Sequence, residues 1–347
     1  MILLIGNFLS RHGFNPTAIE ELDNTLSTTY IIKSASHRRN SLLRLLDMLL
    51  LIILNRNSCR LIIVDVFSTN AFYYSCIAIL LAKIGHIPYL SVMRGGNMPE
   101  RYKKQPKLFN FLFKKNNIII CPSNYLADFF INRKYRVQII HNYIDIRKYI
   151  MKKRDKIEPN LLWVRSIHSI YNPVMAIKVL FEICKKFPSA HLCMIGPAKD
   201  ETVSLVEKLI DQLNLRKNVT LTGQLKKKEW IELSNEYDIF LNTTNYDNQP
   251  ITIIEAMALG LPIVSTNVGG IPNLLSHNKT AKLVGANDVS AMVSQIMDYL
   301  SNDHQRIQIS TNAREIVEKK YCQEIIIPKW YETIDETIKQ KNNDDKD

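Results

Sequence analysis

Short, continuously apolar runs alternate with longer helical stretches along nearly the whole chain, and few folds accommodate that alternation. ILLIGNFL, RLIIVDVF, IPYLSVM and NNIIICPS have the length of strands buried on both faces. Around them lie NPTAIEELDNTL, AFYYSCIAILLAKIG and NYLADFFI, which have the length of helices. Strand, helix and strand in that order predict a parallel sheet covered by helices. The first helix is expected to take Asn15 as N-cap and Pro16 in its first turn, where a missing N–H costs nothing.

The series then repeats. HNYIDIRKY reads as a loop closing the first run, and the charged MKKRDKIEPN, residues 151–160, reads as a linker. NLLWVRSI opens a second run that continues through NPVMAIKVLFEICKKF, AHLCMIGP, TVSLVEKLIDQLNL, NVTLTGQL, KKEWIELSNEY and DIFLNTT. A chain of 347 residues suits two cores better than one. The expected fold class is α/β, with two Rossmann-like domains facing a cleft. The domains are expected over 1–150 and 158–325, with 326–347 as a closing helix and polar tail. Ligands in such sheets bind beyond the carboxyl ends of the strands.

One string stands apart. YDNQPITIIEAMALGLPIVSTNVGG, residues 246–270, spaces two carboxylates, Asp247 and Glu255, eight residues apart across a loop–helix boundary. Pro250 is placed to open the helix, Gly260 to stop it, and LPIVST to resume as a strand. Carboxylates accept hydrogen bonds from vicinal hydroxyls, and free N–H groups at a helix start attract phosphate. Asn248, Gln249, Pro250, Ile251, Thr252 and Glu255 are therefore candidate donor-binding residues for a nucleotide sugar. On spacing alone, an ordinary αβ unit with a surface Asp and a coincidental Glu remains open.

The whole string resembles the E-x7-E region of the retaining family 4, or group 1, glycosyltransferases of the GT-B fold, with Asp247 where the first Glu usually stands. HNYIDIRKY, IGPAKD, NVTLTGQL and VGGIP match the family's order and spacing, which extends the resemblance over nearly the whole chain. The resemblance implies that Asp247 contacts the transferred sugar and Glu255 holds the ribose hydroxyls. It implies that Arg165, in LLWVRSIHSIYNP, contacts the donor diphosphate, whereas Ile170 or Tyr171 falls where the family carries a lysine. Asp247 and Arg165 are the catalytic candidates. The family's Gly-Gly dipeptide near the N-terminus is replaced by SRHGFNP, leaving Gly13, and Arg94 stands where many relatives carry a histidine. Gly13, Arg94 and Gly95 are carried as acceptor or phosphate candidates, against a turn that merely needs glycine. No general base is evident, and in relatives the donor phosphate is thought to take the acceptor proton.

Charge and cysteines narrow the partners. Residues 1–150 hold 20 Lys and Arg against 8 Asp and Glu, while the remainder holds 25 of each. RYKKQPKLFNFLFKK gathers Arg101, Lys103, Lys104, Lys107, Lys114 and Lys115 among apolar residues. That pattern fits a solvated helix face, an anionic membrane surface or an acidic acceptor. Nucleic acid is not expected, since no recognition motif accompanies the charge. The six cysteines show no CxxC pair or Cys/His cluster and read as buried free thiols. No metal site is expected, and no cofactor beyond the nucleotide-sugar substrate.

MILLIGNFLS lacks a basic n-region and cleavage site, so it reads as a first strand, and a cytoplasmic location is expected, peripheral on the inner face of the membrane if the basic surface is used. SLLRLLDMLLLIILN is too short to span a bilayer and is expected as a core helix, with an interfacial helix as the alternative. NNDDKD is expected as a disordered tail. The expected function is retaining transfer of a sugar from a nucleotide sugar to a saccharide or lipid-linked acceptor in cell-envelope polysaccharide or lipopolysaccharide assembly. A nucleotide-sugar epimerase of similar fold and a non-catalytic sugar-nucleotide-binding module are the alternatives.

Overall fold

A computed structural model describes residues 1–114 and 117–344. Lys115 and the last three residues of the expected tail therefore lie outside the described residues. Twelve strands are present among them: β1 Ile2–Ile5, β2 Ile32–Ala35, β3 Leu61–Val66, β4 Tyr89–Met93, β5 Ile118–Cys121, β6 Val137–Ile139, β7 Asn160–Val164, β8 His191–Ile195, β9 Val219–Gly223, β10 Ile239–Asn242, β11 Ile263–Thr266 and β12 Lys282–Val284. They form two six-stranded sheets, in the orders β2-β1-β3-β4-β5-β6 and β12-β11-β10-β7-β8-β9. Every pairing is parallel. This is the expected pair of Rossmann-like domains.

Each sheet lies in its own compact unit. The first comprises Met1–Asn142 and Glu324–Asp347, the second Tyr143–Gln323. The C-terminal helix Gln323–Asp344 thus returns to the first unit, where Asp335 accepts from the Tyr30 hydroxyl at 2.8 Å and Gln340 from Arg136 at 2.9 Å. The helix runs through Asn342, Asn343 and Asp344, which were expected in a disordered tail.

The chain changes unit at 142–143 and not near 150, because Ile144 and Tyr149 are buried in the second unit's core and Ile144 bridges Cys322. The expected linker 151–160 is likewise part of that unit. Arg154 within it is only 5% exposed and donates to the carbonyls of Ser234, Tyr237 and Leu259. Burial draws its guanidinium down to about 10. Arg306, fully buried, donates in turn to the Arg154 and Asp155 carbonyls. A charged stretch is folded here because carbonyl oxygens meet its guanidinium.

Two local expectations shift. The first helix is Ala18–Leu26, capped by Thr17 and not Asn15. Glu20 accepts from the Thr17 N–H at 2.7 Å and Thr17 Oγ1 from the Glu20 N–H, a capping box. Helix Ser41–Asn55 is not a core helix: only Met48 and Ile52 are buried. The six cysteines are free, as expected, and four of them are buried.

Candidate functional site

Strand order decides which loops meet. In the second sheet the chain leaves β7 for β8 and β9, then returns to β10 on β7's other side. The strand order reverses between β7 and β10, so the loops leaving their carboxyl ends lie next to each other. The β7 loop carries Arg165 and the β10 loop carries Asp247. Side chains stitch them together: Thr243 Oγ1 donates to the Tyr171 carbonyl at 2.8 Å and receives Trp163 Nε1 at 3.0 Å, while the Asn245 N–H donates to the Ile170 carbonyl at 2.7 Å.

The two catalytic candidates touch. Arg165 donates from a terminal nitrogen to Asp247 Oδ2 at 2.5 Å, and Asp247 Oδ1 accepts from the Asn248 N–H at 2.9 Å. Both side chains are mostly buried, at 14% and 15% exposure. The Tyr171 ring, one of the two residues expected where the family carries a lysine, lies 5.0 Å from the guanidinium carbon in a cation–π contact. Arg165 Nε is buried with no hydrogen-bond partner, and so is Thr252 Oγ1 in the first turn of helix Ile251–Ala258.

The backbone of that loop is held by VGG. Gly270 donates its N–H to the Asp247 carbonyl at 3.0 Å, and a Cβ on Gly270 would sit 1.9 Å from the Asn248 carbonyl oxygen. Gly269, at φ +54°, approaches Asp247 in the same way. No side chain fits there. Asn248 and Gln249 follow, both buried. Pro250 occupies the N-cap itself, one position before its expected place inside the helix, and supplies no side-chain cap, while its carbonyl accepts from the Ile253 and Ile254 N–H groups. Gly260 ends the segment at φ +68°, as expected of a left-handed stop.

Glu255, one helical turn on, is 2% exposed. Its Oε1 accepts from the Tyr149 hydroxyl at 2.7 Å and from Lys227 Nζ at 3.1 Å. Neither partner was picked out from the sequence. Tyr149 comes from HNYIDIRKY and Lys227 from KKEWIELSNEY, so the quoted strings contained both, but nothing local ties either to a residue far along the chain. A cavity of about 830 Å³ in this unit is lined by Leu259, Ile231, Lys152 and Lys227. Leu259 caps the carboxyl end of the helix, so this cavity lies away from the N–H groups that would meet phosphate.

The first-unit candidates have other duties. Arg94 donates to Asp65 Oδ1 at 2.8 Å and to Asn142 Oδ1 at 3.0 Å. Asp65 is buried, which pushes its carboxyl above the usual range against the opposing pull of Arg94. Gly95 packs on Ser68, whose Oγ would be 2.4 Å from an added Cβ, so this turn needs glycine on packing grounds. Gly13, at φ +85°, caps a short 3-10 turn and has open space where a Cβ would go.

Comparison with known proteins bears on this arrangement. The family model described as Glycosyl transferases group 1 matches residues 148–316. Over 211 residues the chain is 26% identical to the N-acetyl-alpha-D-glucosaminyl L-malate synthase of Bacillus anthracis, covering 57% of this chain and 53% of that protein. It is 32% identical over 163 residues to the putative colanic acid biosynthesis glycosyltransferase WcaL of Salmonella typhimurium, covering 43% and 39%. The chain thus spans about half the length, or less, of these curated relatives. HepE of Anabaena, solved with UDP and glucose, superposes with a TM-score of 0.76 at 16% identity, over 96% of this chain and 99% of that one. Sucrose-phosphate synthase of Thermosynechococcus elongatus gives 0.78 at 14% identity, over 96% and 98%. At such identities these two likenesses establish the shared fold.

Proposed function

We propose that this chain, whose residues 148–316 match the family model described as Glycosyl transferases group 1, moves a sugar from a nucleotide-sugar donor to an acceptor hydroxyl with retention of configuration. The observation that carries this is the Arg165–Asp247 pair at the strand-order reversal, beside an uncapped helix start, with Arg165 Nε and Thr252 Oγ1 left without partners. An anion and a polyhydroxyl group satisfy those atoms together. HepE, which shares the fold, was solved with UDP and glucose, which supports a uridine diphosphate sugar as the first donor to try.

In this reading the bond between the anomeric carbon and the diphosphate breaks as the acceptor oxygen bonds to that carbon, and the acceptor proton passes to the departing phosphate. Arg165 and the helix N–H groups stabilise the negative charge that develops on the diphosphate. Asp247 exchanges its contact with Arg165 for the donor sugar. Glu255, positioned by Tyr149 and Lys227, receives the ribose hydroxyls. The donor is a substrate, and the reading calls on no resident cofactor or metal. The acceptor is a saccharide or a lipid-linked saccharide of the cell envelope, in keeping with a relative named for colanic acid biosynthesis. The basic first unit suits an anionic membrane surface as partner, with the protein peripheral to the inner face of that membrane.

Glu255→Ala tests the donor half. A ligand that binds only the folded chain raises its melting temperature with concentration. The wild type is expected to show that rise with one nucleotide sugar, and the variant to need about 10- to 100-fold more of it, the loss of one charge-assisted hydrogen-bonding group. An unchanged concentration dependence removes Glu255 from the site.

A further inference from the structure

Helix Ser41–Asn55 is amphipathic the wrong way round. Leu42, Leu43, Leu46, Leu50, Ile53 and Leu54 are each more than half exposed. At about 100° per residue they share one strip roughly 120° wide, and no polar side chain interrupts it. The polar residues of the same helix are spent on the protein. Arg44 donates to the carbonyls of Arg38 and Arg39 and to Asn7 Oδ1. Asp47 accepts from Ser36 Oγ at 2.6 Å, and Asn55 accepts from Lys33 Nζ at 2.7 Å.

The strip continues onto its neighbours. Helix Phe72–Ile84 packs against helix Ser41–Asn55 and exposes Tyr73, Ile77, Leu80 and Ile84 at helical spacing. Helix Pro106–Phe113 packs against Phe72–Ile84 in turn and exposes Phe111, over whose ring Lys83 lies at 4.6 Å. Right-handed crossovers place these three helices on one face of the sheet, since β3, β4 and β5 follow in the same direction after the return from β2. Exposed contiguous apolar surface of this kind marks an interaction site.

Charge identifies the occupant. Residues 38–114 hold 12 Lys and Arg against 3 Asp and Glu. One of the three acids, Asp65, is buried against Arg94, and another, Glu100, pairs with Lys103. Arg38 and Arg39 precede the leucine strip, Arg56 follows it, and Lys107 and Lys114 flank Phe111 on its own side of the helix. All five are exposed. A second copy of this chain would bring like charge against like charge. A bilayer with anionic headgroups meets both features at once, taking the leucines between its acyl chains and the cations at its phosphates.

We infer that the face built by helices Ser41–Asn55, Phe72–Ile84 and Pro106–Phe113 seats the first unit on an anionic lipid surface, with Leu46, Leu50 and Leu54 inserted. The inference rests on the membrane partner in the proposed function and names the surface that makes it. Co-sedimentation of the full chain with vesicles of phosphatidylcholine, with and without phosphatidylglycerol, tests it. The wild type is expected to bind the anionic vesicles and not the neutral ones. Leu46→Ser/Leu50→Ser/Leu54→Ser, at exposed positions that leave the melting temperature in place, is expected to weaken binding about tenfold or more. Arg56→Glu/Lys107→Glu/Lys114→Glu is expected to weaken it and flatten its salt dependence. Wild-type binding by the serine variant, or no binding by the wild type, overturns the inference. So does a wild-type dimer that the serine variant dissociates, which would make a second copy the occupant. Failure here leaves sugar transfer intact, whereas failure of the transferase reading shows as no transfer of labelled sugar to any acceptor and leaves vesicle binding untouched.

Discussion

Asp247 and Arg165 hold each other in the free protein, and that contact reconciles two departures from the family pattern. The aspartate is one methylene shorter than the usual glutamate, and the arginine has no lysine beside it. Gly269 and Gly270 lie close against the backbone of Asp247 and Asn248, and Tyr171 packs on the Arg165 guanidinium. The residue types were legible in the string 246–270, but their mutual contact was not, since strand order alone brings the β7 and β10 loops together. Arg94 differs. Its pairing with buried Asp65 predicts a structural cost: Arg94→Ala should destabilise the fold by about 3–5 kcal/mol, the usual result of stranding a buried charge. The sign with pH follows from burial. Asp65 already titrates above the ordinary carboxyl range, and loss of the cation raises it further, so the folded state binds a proton that the unfolded state has released. Its stabilising contribution is full below the unfolded carboxyl pKa and is lost as pH rises through the folded one. Urea denaturation at several pH values should therefore show the variant's deficit growing with pH through that window, and a deficit independent of pH would place the cost elsewhere.

At the scale of elements, legibility followed burial. The central strands were visible as apolar runs because both their faces are covered. β2, β6 and β12 escaped notice, and each is an edge strand of three or four residues, IKSA, VQI or KLV; Lys33 and Gln138 are exposed on the first two, while Lys282 of the third is buried and paired with Asp298. The first helix start was misplaced by two residues because Asn15-Pro16 is a plausible start, while Thr17 and Glu20, spaced as a capping box, close the actual one. Helix Ser41–Asn55 misled by composition: apolar content predicts burial only when the chain folds something over it. The segment from Asn248 to Gly270 carries its own prediction. Gly270→Ala places a methyl against the Asn248 carbonyl, so the β10 loop must move, costing about 1–3 kcal/mol of stability. Transferase turnover should fall by more than the melting temperature suggests, because Asp247 moves with the loop. Turnover that merely tracks stability would show that the loop's position is not limiting.

Over the whole molecule, charge is distributed by unit and not by sequence half. The first unit, with the returning helix, holds 22 Lys and Arg against 14 Asp and Glu, and the second holds 23 against 19. The acidic C-terminal helix thus offsets part of the N-terminal excess. Arg38, Arg39, Arg56, Lys107 and Lys114, all exposed, border the exposed leucines and Phe111. No helix among the described residues is long and apolar enough to cross a membrane. In the proposed function the second unit binds the donor, and the most direct test of that proposal is product analysis. The full chain is incubated with labelled nucleotide sugars, with and without a panel of saccharide and lipid-linked saccharide acceptors, and the products are separated by chromatography. The account predicts label on an acceptor and an equal amount of free nucleoside diphosphate. Label recovered as an epimer still attached to its nucleotide, or a donor that binds yet is returned unchanged with every acceptor, would contradict it.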